Sequence, residues 1–204
     1  MKKRKIILAA VALLALFFIG GTMAYFTDTT TVTNTFTLGN VQISLSEPSY
    51  NENAALALMP GAEIDKDPTI TNVGASPAYV FIKITEPCYN NQKIFTYTIN
   101  AGWSIVGTAG TCVASTGVST AATVYAYGTS AQMTELLTTS GNDETTALFD
   151  EVTLLNSLTQ ADVVALNEWD AINGNDIKIV VDAYGIQSEN LPASDSSSVW
   201  ANFQ

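Results

Sequence analysis

The chain reads as an all-β protein, a jelly-roll-like antiparallel β-sandwich with one or two short helices. Three observations predict this. Thr, Val, Ile and Ala abound while Lys and Glu are sparse, a composition that suits pleated strands. Seven to nine short apolar or alternating runs recur between turn signals, as in sandwiches. No heptad, internal repeat or second hydrophobic core signal competes with them. An α+β layer is the alternative that the same runs leave open.

The chain of 204 residues opens with a leader. Lys2, Lys3, Arg4 and Lys5 are followed by 14 apolar residues from Ile6 to Ile19, then by small residues at Thr22 and Ala24. This is the order of a cleavable signal peptide, with the cut falling between Ala24 and Tyr25. An uncleaved anchor is the other reading, and the apolar run is short of the ~20 residues a span needs. Residues 1–24 are therefore expected to leave, and 25–204 to form one secreted domain large enough for a sizeable core.

The mature part keeps four lysines, no arginine and 19 acidic residues, a net charge of −15. Such a surface disfavours nucleic acid and anionic membranes as partners, which need cations to meet phosphate. It is compatible with calcium or a cationic wall polymer, or simply with solubility. Histidine is absent altogether. That removes Ser-His-Asp and Cys-His catalysis in their usual forms, and the ligands of nearly every catalytic zinc centre. No catalytic residue, metal ligand or cofactor is expected. Cys88 and Cys112 are the only cysteines. In an oxidising compartment they are expected to pair, worth roughly 3 kcal/mol by loop closure, with two buried thiols as the alternative.

Residues 27–37 carry seven threonines in eleven positions. They are β-prone but have little apolar content to hold them. Phe36 and Leu38 share one parity and Val41, Ile43 and Leu45 the other, with Gly39-Asn40 at the switch. Two strands, or one kinked strand, are expected over 32–46. Pro48 and its polar neighbours form a loop, and Met59-Pro60-Gly61 a turn. A strand is expected over 62–72, with Pro68 at an edge or bulge. The clearest strand is 78–85, apolar on both faces at Tyr79, Val80, Phe81 and Ile82, as a central strand would be, and Pro87 is expected to end it. Weaker runs follow at 94–99 and 103–106. Residues 112–122 read as an exposed loop, 123–127 and 147–155 as strands.

Thr159 begins the best helix, 159–169, with Asp162 at N3 and Leu158 placed to staple Val163. Over 177–187, Ile177, Ile179, Val181 and Ala183 share a face and Tyr184 and Ile186 take the other. A short amphipathic helix is expected over 194–203, gathering Val199, Trp200 and Phe203. Asp143-Glu144 and residues 173–176 look like fragments of calcium loops but lack the ligand ladder, and turn polarity explains them better. Tyr125, Tyr127, Trp103, Trp169 and Trp200 invite a sugar-binding face, although strand packing is the commoner use of such rings.

At the leader junction Gly20-Gly21-Thr22-Met23-Ala24-Tyr25-Phe26-Thr27-Asp28 resembles the SipW-type signal peptides of the TasA/camelysin family. The likeness continues through Phe36, Gly39, Val41, Ile43 and Leu45. It returns at Met59-Pro60-Gly61 with residues 69–74, and in part at 183–187; the stretch 86–175 matches only loosely. The resemblance implies a jelly-roll-like sandwich, a dedicated signal peptidase of SipW type as partner, and a Gram-positive host. It also implies a secreted place in a biofilm matrix or on the cell or spore surface. In fibre-forming members the freed N-terminal strand enters the next subunit, here Tyr25, Phe26, Thr29, Thr31 and Thr33 within 25–37, so other copies of the chain, and an accessory matrix protein, become the expected partners. Physically, such a strand satisfies an exposed sheet edge, and a head-to-tail contact that does not close makes filaments. The family also carries a metalloendopeptidase label, which a chain without histidine does not support.

Overall fold

A computed structural model of the chain describes residues 40–51, 58–113, 117–139, 141–173 and 177–204. The expected signal cleavage at Ala24–Tyr25 and the expected donor residues Tyr25, Phe26, Thr29, Thr31 and Thr33 lie outside the described residues.

The strands are β1 (Ile43–Ser46), β2 (Glu63–Asp65), β3 (Thr69–Asn72), β4 (Ala78–Tyr89), β5 (Gln92–Lys93), β6 (Phe95–Thr96), β7 (Trp103–Ile105), β8 (Val118–Thr129), β9 (Gln132–Met133), β10 (Glu151–Leu154) and β11 (Val180–Gln187). The helices are α1 (Gln160–Asn173) and α2 (Ser196–Trp200), the latter running into a 3₁₀ turn at Ala201–Phe203. The larger sheet has the order β11-β4-β8-β7, with β5 added to β4 and β9 to β8. Facing it are β1-β3 and β2-β10-β6, and every pairing is antiparallel. The fold is the expected all-β, sandwich-like one.

The core follows from strand parity. Val80, Ile82 and Ile84 of β4 and Tyr125 of β8 turn inward to meet Ile64, Ile70, Phe149 and Val152 from the facing layer. The opposite face of the large sheet carries Tyr79, Phe81, Ala126, Tyr184 and Ile186, covered by Val199, Trp200 and Phe203. Both faces of β4 are thus buried, as its doubly apolar run foretold. The expected division of Val181 and Ala183 from Tyr184 and Ile186 is observed, the first pair joining the inner core and the second the outer cluster. Leu166 of α1 closes a third cluster with Ile94, Phe95 and Leu154. Thr159 caps α1 as anticipated: the Asp162 N–H donates to Thr159 Oγ1 at 3.2 Å and the Thr159 N–H to Asp162 Oδ2 at 2.9 Å.

Several boundaries differ from expectation. Pro87 does not end β4. Its carbonyl accepts from the Ile94 N–H on the β5 side (3.2 Å). A strand residue's N and O point the same way, so the missing donor faces the short hairpin and the ladder to β8 loses nothing. Residues 62–72 form two strands. β2 pairs with β10 and β3 with β1, and the chain crosses between them at 66–68. β8 starts at Val118, inside the stretch read as loop, because Tyr89, Cys88 and Pro87 hold it in register against Val118, Ser119 and Thr120. Tertiary pairing overrides a composition of small polar residues. The expected strand over 147–155 shortens to β10, and α1 runs on to Asn173.

Candidate functional site: an open strand edge

β1 is an alternating strand whose Ile43 and Leu45, with Val41 just before it, pack on the core. Its far end is clamped. Lys66 Nζ lies 2.7 and 2.8 Å from the two Glu47 oxygens and 4.7 Å from the centre of the Tyr50 ring, and the Ser49 N–H donates to Asp67 Oδ1 at 2.9 Å. Its near end is tied to the turn after β3, where Asn40 O accepts from Ala75 and Ser76, and Gln42 O accepts from Val73. β1 is therefore a fixed rail.

β11 is the second rail. Among the described residues β11 pairs only with β4, and β1 only with β3. Both strands line a groove of about 430 Å³, with Ile43, Leu45, Val181, Asp182, Ala183 and Tyr184 around it. Gly185 sets how close the rails come: a Cβ there would lie 2.9 Å from Ile43 Cγ2 and 3.2 Å from Val41 Cγ1. Ile43, Leu45, Val181 and Ala183 bring apolar side chains to it, while its exposed lining is on balance more polar than apolar. Two strand edges without a sheet partner among the described residues, beside a groove with apolar side chains, are the elements of strand addition.

A second cluster lies at the far end of β4. Glu86 is fully buried. Its Oε1 accepts from Lys93 Nζ at 2.6 Å and from Tyr97 Oη at 2.9 Å, while Oε2 has no hydrogen-bond partner among the described residues. Burial first, then the Glu86 carboxylate, pushes the Tyr97 hydroxyl far above the usual tyrosine range, and burial also raises Tyr125. Sequence reading passed over Glu86, yet parity marks it. It continues the inward series Val80, Ile82, Ile84 and precedes Cys88, so a carboxylate was due to be buried there. The neighbouring Cys88 and Cys112 form a disulfide with Cα atoms 5.8 Å apart.

The five rings considered for a sugar face are dispersed. Trp103 and Tyr127 stack edge to face at 5.2 Å and the Trp103 Nε1–H donates to Thr146 O. Tyr125 lies in the inner core. Trp200 joins Phe81, Tyr184 and Phe203 on the opposite face. Trp169 sits on α1. Asp143 Oδ1 accepts from the Gly141 N–H (2.9 Å), the turn role anticipated for it. Residues 174–176 lie outside the described ones.

The fold defines an all-β, sandwich-like protein in which β1 and β11 each keep an edge unpaired among the described residues. Residues 1–84 match the family model described as camelysin metallo-endopeptidase, in agreement with the resemblance of the leader and first strands; the match ends within β4. The family is one of surface or secreted proteins. Comparison with curated proteins and with solved structures gave no match. No helix among the described residues is long and apolar enough to cross a membrane. The metal that the family's description implies does not fit these residues. There is no histidine in the sequence, and among the described residues no three Asp, Glu or Cys side chains gather where an ion could sit.

Proposed function

We propose that this is a secreted structural protein of an extracellular matrix or cell surface, and that it assembles into fibres by strand donation. Cleavage between Ala24 and Tyr25 frees residues 25–37, which add to the β1 and β11 edges of the next copy. The observation that carries the reading is the pair of strands, β1 and β11, that line one groove and each keep an edge without a sheet partner among the described residues. Length fits as well. Residues 27–37 in extended form span about 36 Å, enough to run along the eight residues of β11, about 26 Å. The segment has one charged side chain, Asp28, close to its freed amino end, and from residue 29 to 37 it is uncharged and rich in threonine, which suits pairing. No reactive centre is needed.

Deleting residues 25–35 from the mature chain tests this. Electron microscopy is expected to show fibres of the intact mature protein and none of the truncated one. Fibres from the truncated protein overturn the proposal.

A further inference from the structure

The large sheet has a second long edge, along β8. We infer that the strap at 106–113, fastened by the Cys88–Cys112 disulfide, closes that edge and so confines strand addition to the β1/β11 side. The inference rests on the strand-donation reading for its consequence, but its geometry stands apart from it.

β7 covers β8 only at Tyr125, Ala126 and Tyr127. Past that point β8 continues to Val118 with β4 on its other side. Val124 O accepts from the Val106 N–H (2.9 Å), so Val124 turns its backbone groups toward this edge. By the two-residue period Ala122, Thr120 and Val118 do the same. Left bare, they extend the edge by half the strand, an invitation to unregulated pairing. The strap meets this edge at Ala122 and Thr123. The Gly110 N–H donates to Thr123 Oγ1 at 3.0 Å, and the backbone is pressed so close that a Cβ on Gly110 would fall 2.0 Å from Ala122 O. Two residues on, Cys112 reaches to Cys88, which is fully buried on β4 and stands opposite Ser119 of β8. The bond therefore pins the strap to the neighbouring strand of the same sheet. The strap itself adds no regular strand beside 118–124. Among the described residues the close seat of Gly110, its bond to Thr123 and the covalent tie at Cys112 hold it there, with Val106 anchored at its start.

The test is hydrogen exchange with mass spectrometry on the mature chain, with sedimentation velocity alongside. The oxidised protein is compared with protein reduced by dithiothreitol, whose two thiols close to a cyclic disulfide as the Cys88–Cys112 bond becomes two thiols. Cys88→Ala/Cys112→Ala serves as a reagent-free version. Gly110→Val keeps the disulfide but cannot seat the strap. Reduction and both variants are expected to strip protection from 118–124 while β11 keeps its own, and to add associated species absent from the oxidised wild type. Unchanged protection at 118–124 overturns the inference. So does an equal loss across β4 and β11, which would mean general loosening. Whether oxidised protein makes fibres is scored separately by electron microscopy, so failure of strand donation and failure of the strap are told apart.

Discussion

Lys93→Met is expected to destabilise the protein more than Glu86→Gln, although both break the same ion pair. Glu86 is fully buried, whereas the Lys93 side chain is 32% exposed. Removing the lysine strands a carboxylate in the core with one donor, Tyr97, and an oxygen that already lacks a partner. Breaking a buried pair in this way costs roughly 3–5 kcal/mol. Water can reach the lysine end, which brings the expectation down to about 2–3 kcal/mol. Glu86→Gln removes the charge instead, keeps an acceptor for Tyr97 and leaves an ammonium that solvent can satisfy, at about 1 kcal/mol. Glu86→Leu with Lys93→Met replaces the pair by apolar volume and recovers most of the Lys93→Met loss. Urea unfolding of the four proteins, disulfide intact, gives these differences from midpoints at a common slope. If Lys93→Met lies within about 0.5 kcal/mol of wild type, or Glu86→Gln is the more damaging, the argument from buried charge is wrong.

Alkaline unfolding should follow from the tyrosines of the same cluster. Tyr97 and Tyr125 keep their protons when folded and lose them when unfolded above about pH 10, so stability is full below that pH and falls as pH rises beyond it, by up to about 1.4 kcal/mol per pH unit for each group. Tyr97→Phe should flatten the fall, as read from melting temperatures between pH 9 and 11. Gly185→Val drives a side chain into Ile43 and Val41, at about 1–3 kcal/mol, and pushes β1 off β11. Electron microscopy should show fibres lost while circular dichroism stays that of a folded β protein. Thr159→Ala removes the cap of α1 and the hydroxyl bond that, with the Thr159 N–H, holds the Asp162 carboxyl below the usual carboxylate range. The melting temperature should drop, and the wild type's advantage should fade as pH falls through that range.

Much of this fold is legible in the sequence wherever a local pattern and a tertiary role coincide. β4 reads as central because both its parities are apolar, α1 because Thr159 and Asp162 sit at cap spacing, and the last turn because Val199, Trp200 and Phe203 fall together. The illegible parts are those in which a distant partner decides. Nothing near 118–122 signals a strand until the end of β4 lies beside it, and Pro87 looks like a stop until its nitrogen is seen to face away from β8. The split of 62–72 depends on β10 and β1 claiming different halves. At the candidate site the apolar parity of β1 and β11 could be read, but their meeting at one groove could not, since it arises from strands 137 residues apart (Ile43 and Val180). Glu86 was hidden for a different reason: the proline beside it drew the reading to a break.

The most direct measurement places a photoactivatable benzophenone side chain at position 183 in the groove and mixes normal with heavy-isotope copies during assembly. Strand donation predicts crosslinks from position 183 to residues 25–37 that join unlike masses, light to heavy. Crosslinks to that segment confined to one chain, or none to it in assembled fibres, would contradict the account.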